Sequence, residues 1–426
     1  MRQKPTTNAR SASALPAMPE SEPGVPPPEN KKFYPALDGL RAVAVLMVFS
    51  AHYMGPHHPW MAWGWAGVDV FFVLSGFLIT GVLFDTQDRP GRFRIFYIRR
   101  ALRIFPLYYG VLFLALLTTP IFHWFWNRAS LLWFVYLGNF SRFFFAHSNL
   151  IQPGGGTQYL DHLVGQPFTA HSPMLLLGHF WSLCVEEQFY LVWPLVVFSI
   201  GRRTTLRNLC LLSVPVLLAA RVLCLLFAPK IALQYELLYR ATPLRVDALL
   251  IGGALALMLR GPEAERVRRS AMPLLGIAAA GFLLWEGIFR YYTGSVYHPY
   301  AGAPVLTTVG YTLIDLVSGL LILALLRLDN PLAHALNHPA LRGLGRISYG
   351  FYVFHDLFHI FIVRGFQRLF HREDFPHNHL LVAAVGFVLT LVLATLSYHF
   401  FEVPFLRLKD RFTIEGAGAP TAADVA

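Results

Sequence analysis

The sequence predicts an all-α, polytopic membrane protein, and two observations carry that prediction. Hydrophobic residues make up 55% of the 426-residue chain and charged residues only 14%, whereas soluble domains carry about 25% charged residues. A chain so poor in charge cannot cover its whole surface with groups that face water. The basic residues also fall in alternate loops, which is the positive-inside bias of a bacterial membrane protein. This distribution accounts for the net charge of +11 without a nucleic-acid partner.

The chain contains about ten apolar runs of the length that a membrane-spanning helix needs. They lie near residues 36–54, 65–85, 104–122, 180–200, 209–228, 243–260, 271–290, 304–326, 344–366 and 380–404. An even number of spans places both termini on one side of the membrane. The loops on that side hold most of the arginines, so both termini are predicted to be cytoplasmic, and the protein to lie in the bacterial inner membrane.

Three segments outside these runs complete the predicted organisation. Residues 1–32 are rich in Pro, Ser and Ala, and they predict a disordered cytoplasmic tail ahead of a membrane domain over 33–411, with a second disordered tail over 412–426. The segment 130–145 is apolar but short, and counting it as a span would invert every later loop. We therefore interpret it as a re-entrant or interfacial helix on the outer side, followed by a long outer loop, 146–179, that could shape an acceptor entrance.

The first span carries two polar residues, Arg41 and His52. They are eleven residues apart, which is about 16 Å along a helix and close to three full turns. Both side chains are therefore expected to point the same way, one near each side of the bilayer. Arg41 could line a site or extend to the membrane surface. His52 could be a base or a satisfied interfacial histidine.

The second span places Asp69 near its outer end and Ser75 near mid-membrane, with small residues at Gly64, Gly67 and Gly76. Glycines in a membrane helix allow close approach of another backbone or of a ligand. Helix packing explains the glycines alone equally well. A carboxylate at the depth of Asp69, opposite His52 across a short loop, could orient the imidazole.

The motif Arg99-Arg100-Ala101-Leu102-Arg103 lies directly before the third span. Arg100 and Arg103 are three residues apart and share one helical face. Guanidinium groups bind phosphate in a bidentate manner, so the pair could hold a nucleotide-bearing donor such as coenzyme A. The alternative is topology alone, because any cytoplasmic loop is rich in arginine.

Two later spans add further titratable groups. Adjacent carboxylates, Glu186 and Glu187, lie in the predicted outer half of the fourth span, and His355 lies in the predicted outer half of the ninth. Charges inside a span are costly and usually face a cavity or a partner. The glutamates could bind an acceptor hydroxyl, pair with an arginine or hold a structural network. His355 is a second candidate base, or a packed structural histidine.

These groups suggest an acceptor site above a donor site. His52, Asp69, Glu186, Glu187 and His355 are expected at a similar, outer depth on four spans, with the arginines below them. A donor that binds from the inside and an acceptor that binds from the outside is the simplest chemical use of this arrangement. The sequence shows no metal-type spacing of ligands.

As a set, these motifs resemble the membrane acyltransferase-3 family, over about residues 33–405. The matching stretches begin at Leu37 (LDGLR, with His52), Gly67 (GVDVFFVLSGF), Arg99 (RRALR), Trp181 (WSL, then VEEQFY) and Ser348 (SYGFY, then His355). Members of this family O-acylate surface polysaccharides, lipids, antibiotics and related glycans. The resemblance implies that His52 is the essential base, that Arg41 is its companion, and that Arg100 and Arg103 form the acyl-donor motif. Some relatives carry a fused hydrolase-like domain; this chain resembles the stand-alone form.

The function predicted from the sequence is therefore transfer of an acyl group, with acetyl expected, from cytoplasmic acyl-coenzyme A to a hydroxyl of a glycan or glycolipid. The thioester is expected near Ser75 and His52, with no metal and no bound cofactor. His52 would deprotonate the acceptor directly or first accept the acyl group itself. The rival from another class is a transporter or flippase for a lipid-linked saccharide. The absence of an internal repeat disfavours that reading.

Overall fold

The structure is a computed structural model that describes most of the chain. It covers residues 34–55, 63–122, 130–144, 177–229, 237–293, 306–327, 330–370 and 379–412, with the single residues 58, 61 and 126. Within these ranges every regular element is a helix or a helical turn, and no strand occurs. The predicted all-α bundle is confirmed. The predicted N-terminal tail, most of the C-terminal tail and nearly all of the predicted loop 146–179 lie outside the described residues.

Seventeen α-helices are present in the described ranges. They are α1 (Pro35–Tyr53), α2 (Gly67–Asp85), α3 (Arg92–Phe122), α4 (Leu131–Phe134), α5 (Ser141–Phe144), α6 (Trp181–Ile200), α7 (Arg203–Phe227), α8 (Leu237–Arg240), α9 (Thr242–Met258), α10 (Ala264–Thr293), α11 (Tyr311–Leu325), α12 (Pro331–Leu336), α13 (Pro339–Arg346), α14 (Ser348–Phe354), α15 (His359–Phe370), α16 (His379–Leu396) and α17 (Val403–Asp410). A 3₁₀ turn, Gly178–Phe180, leads into α6, and a π-helical turn, Ser397–Glu402, joins α16 to α17.

Nine helical segments in the described part of the chain are long and apolar enough to cross a membrane. Large apolar side chains point outward from them, such as Leu117 and Phe227, which are 75% and 83% exposed. In water such exposure would be costly, whereas the hydrocarbon of a bilayer is an apolar solvent for these groups. The arrangement is that of a multi-pass membrane protein.

The predicted span 344–366 is not one continuous helix. It is divided into α13, α14 and α15, with residues 355–358 forming a turn between α14 and α15. A broken helix leaves backbone carbonyls without intrahelical partners. Here the hydroxyl of Tyr53 on α1 donates to the carbonyl of His355 at 2.9 Å, and His355 Nδ1 bonds to the carbonyl of Tyr352 at 2.6 Å. Side chains thus satisfy the backbone at the break, as interrupted membrane helices require.

The arginine motif at 99–103, interpreted from the sequence as part of a loop, lies inside a helix. Helix α3 begins at Arg92, twelve residues before the predicted start of its span at Ile104, and continues through Pro106. Arginine is a good helix former, so the polar segment extends the apolar one without a break. The motif therefore has helical geometry, and its side chains point in fixed directions.

The segment 130–145 does not cross the bundle, because its two helices, α4 and α5, have four residues each. Its backbone is held against two longer helices. The hydroxyl of Tyr108 on α3 donates to the carbonyl of Trp133 at 2.7 Å, and Gln188 Nε2 on α6 donates to the carbonyl of Tyr136 at 2.6 Å. The short helices thus form a fixed part of the bundle.

Helices α2 and α9 pack closely at the centre of the bundle. Gly76 on α2 lies against the backbone carbonyl of Leu249, and Gly252 on α9 lies against the carbonyl of Val73. A methyl group at either glycine would overlap the facing backbone. These small residues therefore serve helix packing, and the contact fixes which face of α2 is turned toward the neighbouring helices α1 and α6.

Candidate active site

A cavity lies between α1, α2, α3, α6 and α14. It brings together six of the nine residues singled out from the sequence: Arg41, Ser75, Arg100, Arg103, Glu186 and Glu187. Its remaining wall is mostly aromatic and aliphatic: Val68, Phe71, Phe72, Leu78, Ile104, Ser182, Leu183, Tyr190, Ser348, Tyr349 and Tyr352. His52, Asp69 and His355 do not line it. A largely apolar pocket with a few convergent polar groups is the usual form of a ligand site.

Three guanidinium groups define one end of the cavity. Arg41 lies on α1, and Arg100 and Arg103 lie one helical turn apart on α3. Arg41 Nη1 pairs with Asp38 Oδ1 at 3.1 Å, and the guanidinium of Arg100 lies 4.3 Å from the centre of the Tyr190 ring. These contacts hold Arg41 and Arg100 in place, and Arg103 lines the cavity beside them. Such a cluster fits an anionic ligand with several oxygen acceptors.

The neighbouring Arg99 has a different role from Arg100 and Arg103. Its Nη1 donates to the backbone carbonyls of Lys409 and Phe412, at 3.2 and 2.9 Å. Arg99 therefore ties α3 to the end of α17 and does not line the cavity. Neighbouring arginines on this helix therefore have different surroundings, and only Arg100 and Arg103 of the motif line the cavity.

A chain of hydroxyl and carboxylate groups crosses the middle of the cavity wall. The hydroxyl of Tyr190 donates to Ser75 Oγ at 2.9 Å, and Ser75 Oγ donates to Glu186 Oε1 at 2.6 Å. Glu186 also interacts electrostatically with Arg100 and Arg41. The chain joins α2 to α6 and places a carboxylate beside the cationic end.

Glu187 also lines the cavity, but one of its carboxylate oxygens differs from Glu186 Oε1 in its hydrogen bonding. Its Oε1 is buried and has no hydrogen-bond partner among the described residues. Buried polar groups are normally hydrogen-bonded, so this oxygen is available to a ligand or to water. Arg100 lies within electrostatic range of the same carboxylate.

A further buried carboxylate near the arginines, Glu402, was not singled out from the sequence. It lies in the π-helical turn, accepts a hydrogen bond from Ser397 Oγ at 3.1 Å and interacts electrostatically with Arg103. π-Helical turns often occur at functional sites. A lone carboxylate after the apolar run 380–401 is itself unusual in a membrane helix, and that observation could have identified Glu402.

A second cluster contains the candidate bases and lies beyond the cavity. The rings of His52 and His355 are 4.8 Å apart, and those of His355 and His179 are 4.9 Å apart. Asp356 lies near two histidines of this cluster. Its Oδ2 is 3.6 Å from His179 Nδ1, and its Oδ1 is 3.8 Å from His359 Nδ1. Two of these histidines, His179 and His359, were not candidates from the sequence.

The hydrogen bonds at two of these rings fix their tautomers. His52 Nδ1 lies 2.9 Å from the carbonyl of Val48, and His355 Nδ1 lies 2.6 Å from the carbonyl of Tyr352. A carbonyl only accepts, so Nδ1 carries the hydrogen in both neutral rings and Nε2 carries the lone pair. His355 Nε2 is buried without a hydrogen-bond partner.

The carboxylate beside the histidines is Asp356, not Asp69 as expected from the sequence. Asp69 is bonded to Arg245 on α9 in a third, fully buried cluster. The close packing of α2 on α9 turns Asp69 toward that helix and away from α1. The charge of Asp356 acts on His52, so it takes the position that had been assigned to Asp69.

The five groups expected at one outer depth are thus divided among three places. Glu186 and Glu187 line the cavity with the arginines, His52 and His355 belong to the histidine cluster, and Asp69 belongs to the buried ion cluster. The wall between the first two places includes the hydroxyls of Ser182 and Tyr352, which are 2.6 Å apart. The arginine-lined cavity and the histidine cluster are therefore adjacent.

Comparison with known proteins establishes the class to which this fold and cavity belong. Residues 34–399 match the model of the acyltransferase-3 family, described as an acyltransferase domain. The match covers most of the chain, and the chain belongs to this family. No solved structure matches it.

Three named proteins are similar to this chain over most of its length. The chain is 32% identical over 380 residues to the putative peptidoglycan O-acetyltransferase YrhL of Bacillus subtilis, covering 88% of this chain and 55% of the relative. It is 28% identical over 388 residues to the peptidoglycan O-acetyltransferase OatA of Listeria monocytogenes, covering 88% and 56%. A putative O-acetyltransferase of Staphylococcus aureus is 26% identical, covering 88% and 58%. The chain therefore spans little more than half the length of these relatives.

Proposed function

We propose that this protein is a membrane O-acyltransferase that moves an acetyl group from acetyl-coenzyme A to a hydroxyl of a cell-wall glycan or related glycolipid. The observation that carries the proposal is the cavity that places three guanidiniums at one end and a hydroxyl pair at the other, next to a histidine cluster. Family membership and the names of the relatives support acyl transfer, acetyl as the group and a polysaccharide as the acceptor.

The donor binds at the cationic end. Arg41, Arg100 and Arg103 contact the phosphates of coenzyme A through bidentate hydrogen bonds. The thioester arm extends along the apolar wall past Ser75 toward Ser182 and Tyr352. The cationic end faces the cytoplasm of the bacterial inner membrane, which agrees with the concentration of basic residues in alternate loops.

The acceptor binds at the histidine cluster on the opposite side. His52 Nε2 takes the proton of the acceptor hydroxyl, and the oxygen attacks the thioester carbonyl to form the ester C–O bond. The C–S bond then breaks, and the coenzyme A thiolate leaves as the free thiol after taking the proton from His52. Asp356 stabilises the positive charge that then develops on the histidines. General-base assistance of this kind is worth about 10²–10⁴-fold in rate.

The test is acyl transfer in inverted membrane vesicles supplied with radiolabelled acetyl-coenzyme A. We expect label in a membrane-associated or lumenal product with the wild type, and a loss of about 10²-fold or more with His52→Ala. Arg103→Ala should raise the KM for the donor. Arg94→Ala is the matched control, because Arg94 is exposed on the same helix and should leave transfer unchanged.

Three results would contradict the proposal. Equal transfer by His52→Ala and the wild type would remove His52 as the base and leave His355 as the next candidate. Equal donor KM values for Arg103→Ala and Arg94→Ala would remove the phosphate site. Absence of label from acetyl-coenzyme A, together with saccharide movement that stops when the proton gradient collapses, would favour a transporter.

A further inference from the structure

One face of α2 opens onto the cavity. Between Gly67 and Gly81, every residue of this helix is buried except Phe71, Ser75 and Leu78. These three follow one another at spacings of four and three residues, which places them on one side of a helix. All three line the cavity. They therefore mark three successive levels of its wall, and Phe71 and Leu78 are about 10 Å apart along the helix at 1.5 Å per residue.

The wall of the cavity changes in chemistry along this face. On the cationic side, the hydroxyl of Tyr190 donates to Ser75 Oγ at 2.9 Å, and the guanidinium of Arg100 lies 4.3 Å from the centre of the Tyr190 ring. On the other side, the ring of Phe71 packs edge-on against that of Tyr352, with the ring centres 6.4 Å apart. The cavity thus extends from guanidinium groups to a pair of aromatic rings, and we call the part at Phe71 and Tyr352 the aromatic end.

The Tyr352 ring at the aromatic end is held in a fixed position. Its hydroxyl donates to the carbonyl of His179 at 2.8 Å and lies 2.6 Å from Ser182 Oγ. Its ring centre is 5.3 Å from that of His355. A ring held by its hydroxyl and packed on its neighbours cannot turn aside easily. The aromatic end is therefore a firm wall, and it adjoins the histidine cluster.

The acyl group of the donor belongs at the aromatic end. During transfer the acyl carbon is bonded at once to the acceptor oxygen and to the donor sulfur, so it has to lie where the cavity meets the histidine cluster. The phosphates of the donor occupy the opposite, cationic end. A donor oriented in this way places the apolar part of its acyl group against Phe71 and Tyr352.

We propose that Phe71, packed against the fixed ring of Tyr352, limits the length of the acyl group that the enzyme accepts. The methyl group of acetyl fits against the two rings, whereas a longer straight chain has to displace the ring of Phe71. Apolar pockets distinguish ligands by about 10–200-fold for each methylene. Phe71 is thus a specificity-determining residue that selects acetyl over butyryl. This inference rests on the proposed function, because acyl transfer places the acyl group at this end.

Competition between two donors tests the role of Phe71. Inverted vesicles receive equal concentrations of acetyl-coenzyme A labelled with carbon-14 in the acetyl group and butyryl-coenzyme A labelled with tritium in the butyryl group. Both labels are then counted in the membrane-associated and lumenal products. The ratio of the labels gives the ratio of the two kcat/KM values, and it does not depend on how much of the enzyme is folded. We expect the wild type to favour acetyl by about 10²-fold or more.

Two substitutions of Phe71 and one matched control are compared with the wild type. Phe71→Ala should raise the butyryl-to-acetyl ratio by about 10-fold or more, and Phe71→Leu should raise it less, because it removes less of the side chain. Phe84→Ala is the control on the same helix, since Phe84 is not part of the described wall of the cavity, and it should keep the wild-type ratio. Inhibition by free coenzyme A, which has no acyl group, should be equal for Phe71→Ala and the wild type.

The outcomes distinguish failure of this inference from failure of the proposed function. Wild-type vesicles that incorporate butyryl as readily as acetyl overturn the length limit while leaving acyl transfer intact. An unchanged ratio in Phe71→Ala, or an equal change in Phe84→Ala, overturns the assignment to Phe71. Weaker inhibition of Phe71→Ala by free coenzyme A also overturns it, because the ring would then contact the coenzyme and not the acyl group. Wild-type vesicles that incorporate neither label overturn the proposed function, and the length limit with it.

Discussion

Two regions of the bundle bury charged side chains, and they differ in what surrounds those charges. Around the cavity, Arg100, Arg103 and Glu186 border open space and are partly accessible. In the ion cluster on α2, α7, α9 and α11, the side chains of Arg221, Arg245, Asp69, Asp247 and Asp315 are 0% exposed. One set of charges can meet a ligand, whereas the other can meet only protein.

The ion cluster has the geometry expected of side chains that hold neighbouring helices together. Arg221 forms two hydrogen bonds to Asp247, at 3.1 and 2.7 Å, and donates to Thr312 Oγ1 at 2.5 Å. These contacts join α7, α9 and α11. A buried ion pair gains little net stability, but loss of one partner is costly because the other charge is left uncompensated. Charges buried inside a membrane bundle can therefore serve its structure alone.

Glu186→Gln tests the charges that border the cavity, and it is expected to lower activity without lowering stability. The amide oxygen still accepts the Ser75 hydrogen bond, but the negative charge beside Arg100 and Arg41 is lost. We expect the transfer rate to fall by about 10²-fold or more with the thermal unfolding temperature unchanged. Paired measurements of kcat and unfolding in detergent check this. If this variant unfolds at a clearly lower temperature than the wild type, Glu186 is structural like the charges of the ion cluster, and the proposed difference between the two regions is wrong.

Asp247→Asn should show the opposite behaviour. It leaves the Arg221 guanidinium buried with an incomplete set of partners, at a cost of about 3–5 kcal/mol, whereas transfer per folded molecule should be unchanged. Thermal unfolding and activity normalised to folded protein check both statements. The double variant Arg221→Met with Asp247→Leu is the control, since removal of both charges should restore stability. A double variant as unstable as Asp247→Asn would show that the ion pair stabilises the protein by more than the mutual compensation of its two buried charges.

The smallest expected effect lies outside the spans, in the loop between α9 and α10. Hydrogen bonds from Arg203 and Arg207, at 2.7 and 2.9 Å, lower the pKa of Glu263 to about 2. A lowered folded-state pKa contributes stability that is present above the unfolded pKa, about 4.3, and lost as pH falls toward 2. Solvent screens this group, so the contribution is about 0–1 kcal/mol. Unfolding midpoints between pH 5 and 3 should fall less steeply for Glu263→Gln than for the wild type.

The sequence predicted the helical fold better than the positions of the individual candidate residues. The all-α bundle followed from composition, and the shared face of Arg100 and Arg103 followed from their spacing. Both depend on local properties of the chain. The helical start of α3 at Arg92 was missed because hydropathy marks where a helix enters the membrane and not where the helix begins.

The partners of the candidate residues could not be predicted, because they depend on packing between distant helices. Arg245 is 176 residues from Asp69, and no local pattern joins them. Asp356 and His359 become neighbours of His52 only because α14 ends at the turn beside α1. Glu402 reaches Arg103 from the far end of the chain. Each of these contacts is a property of the bundle and not of a motif.

The π-helical turn at Ser397–Glu402 has a consequence for the length of the last span. A π turn accommodates one residue more than an α-helical turn, so deletion of a single residue here would restore regular helix. Everything after the deletion would rotate by about 100° and shift by about 1.5 Å. The carbonyls of Lys409 and Phe412 would then leave Arg99, and Glu402 would leave Arg103. The end of the last helix is therefore sensitive to insertion and deletion as well as to substitution, and its residue count is a constraint in any redesign or fusion.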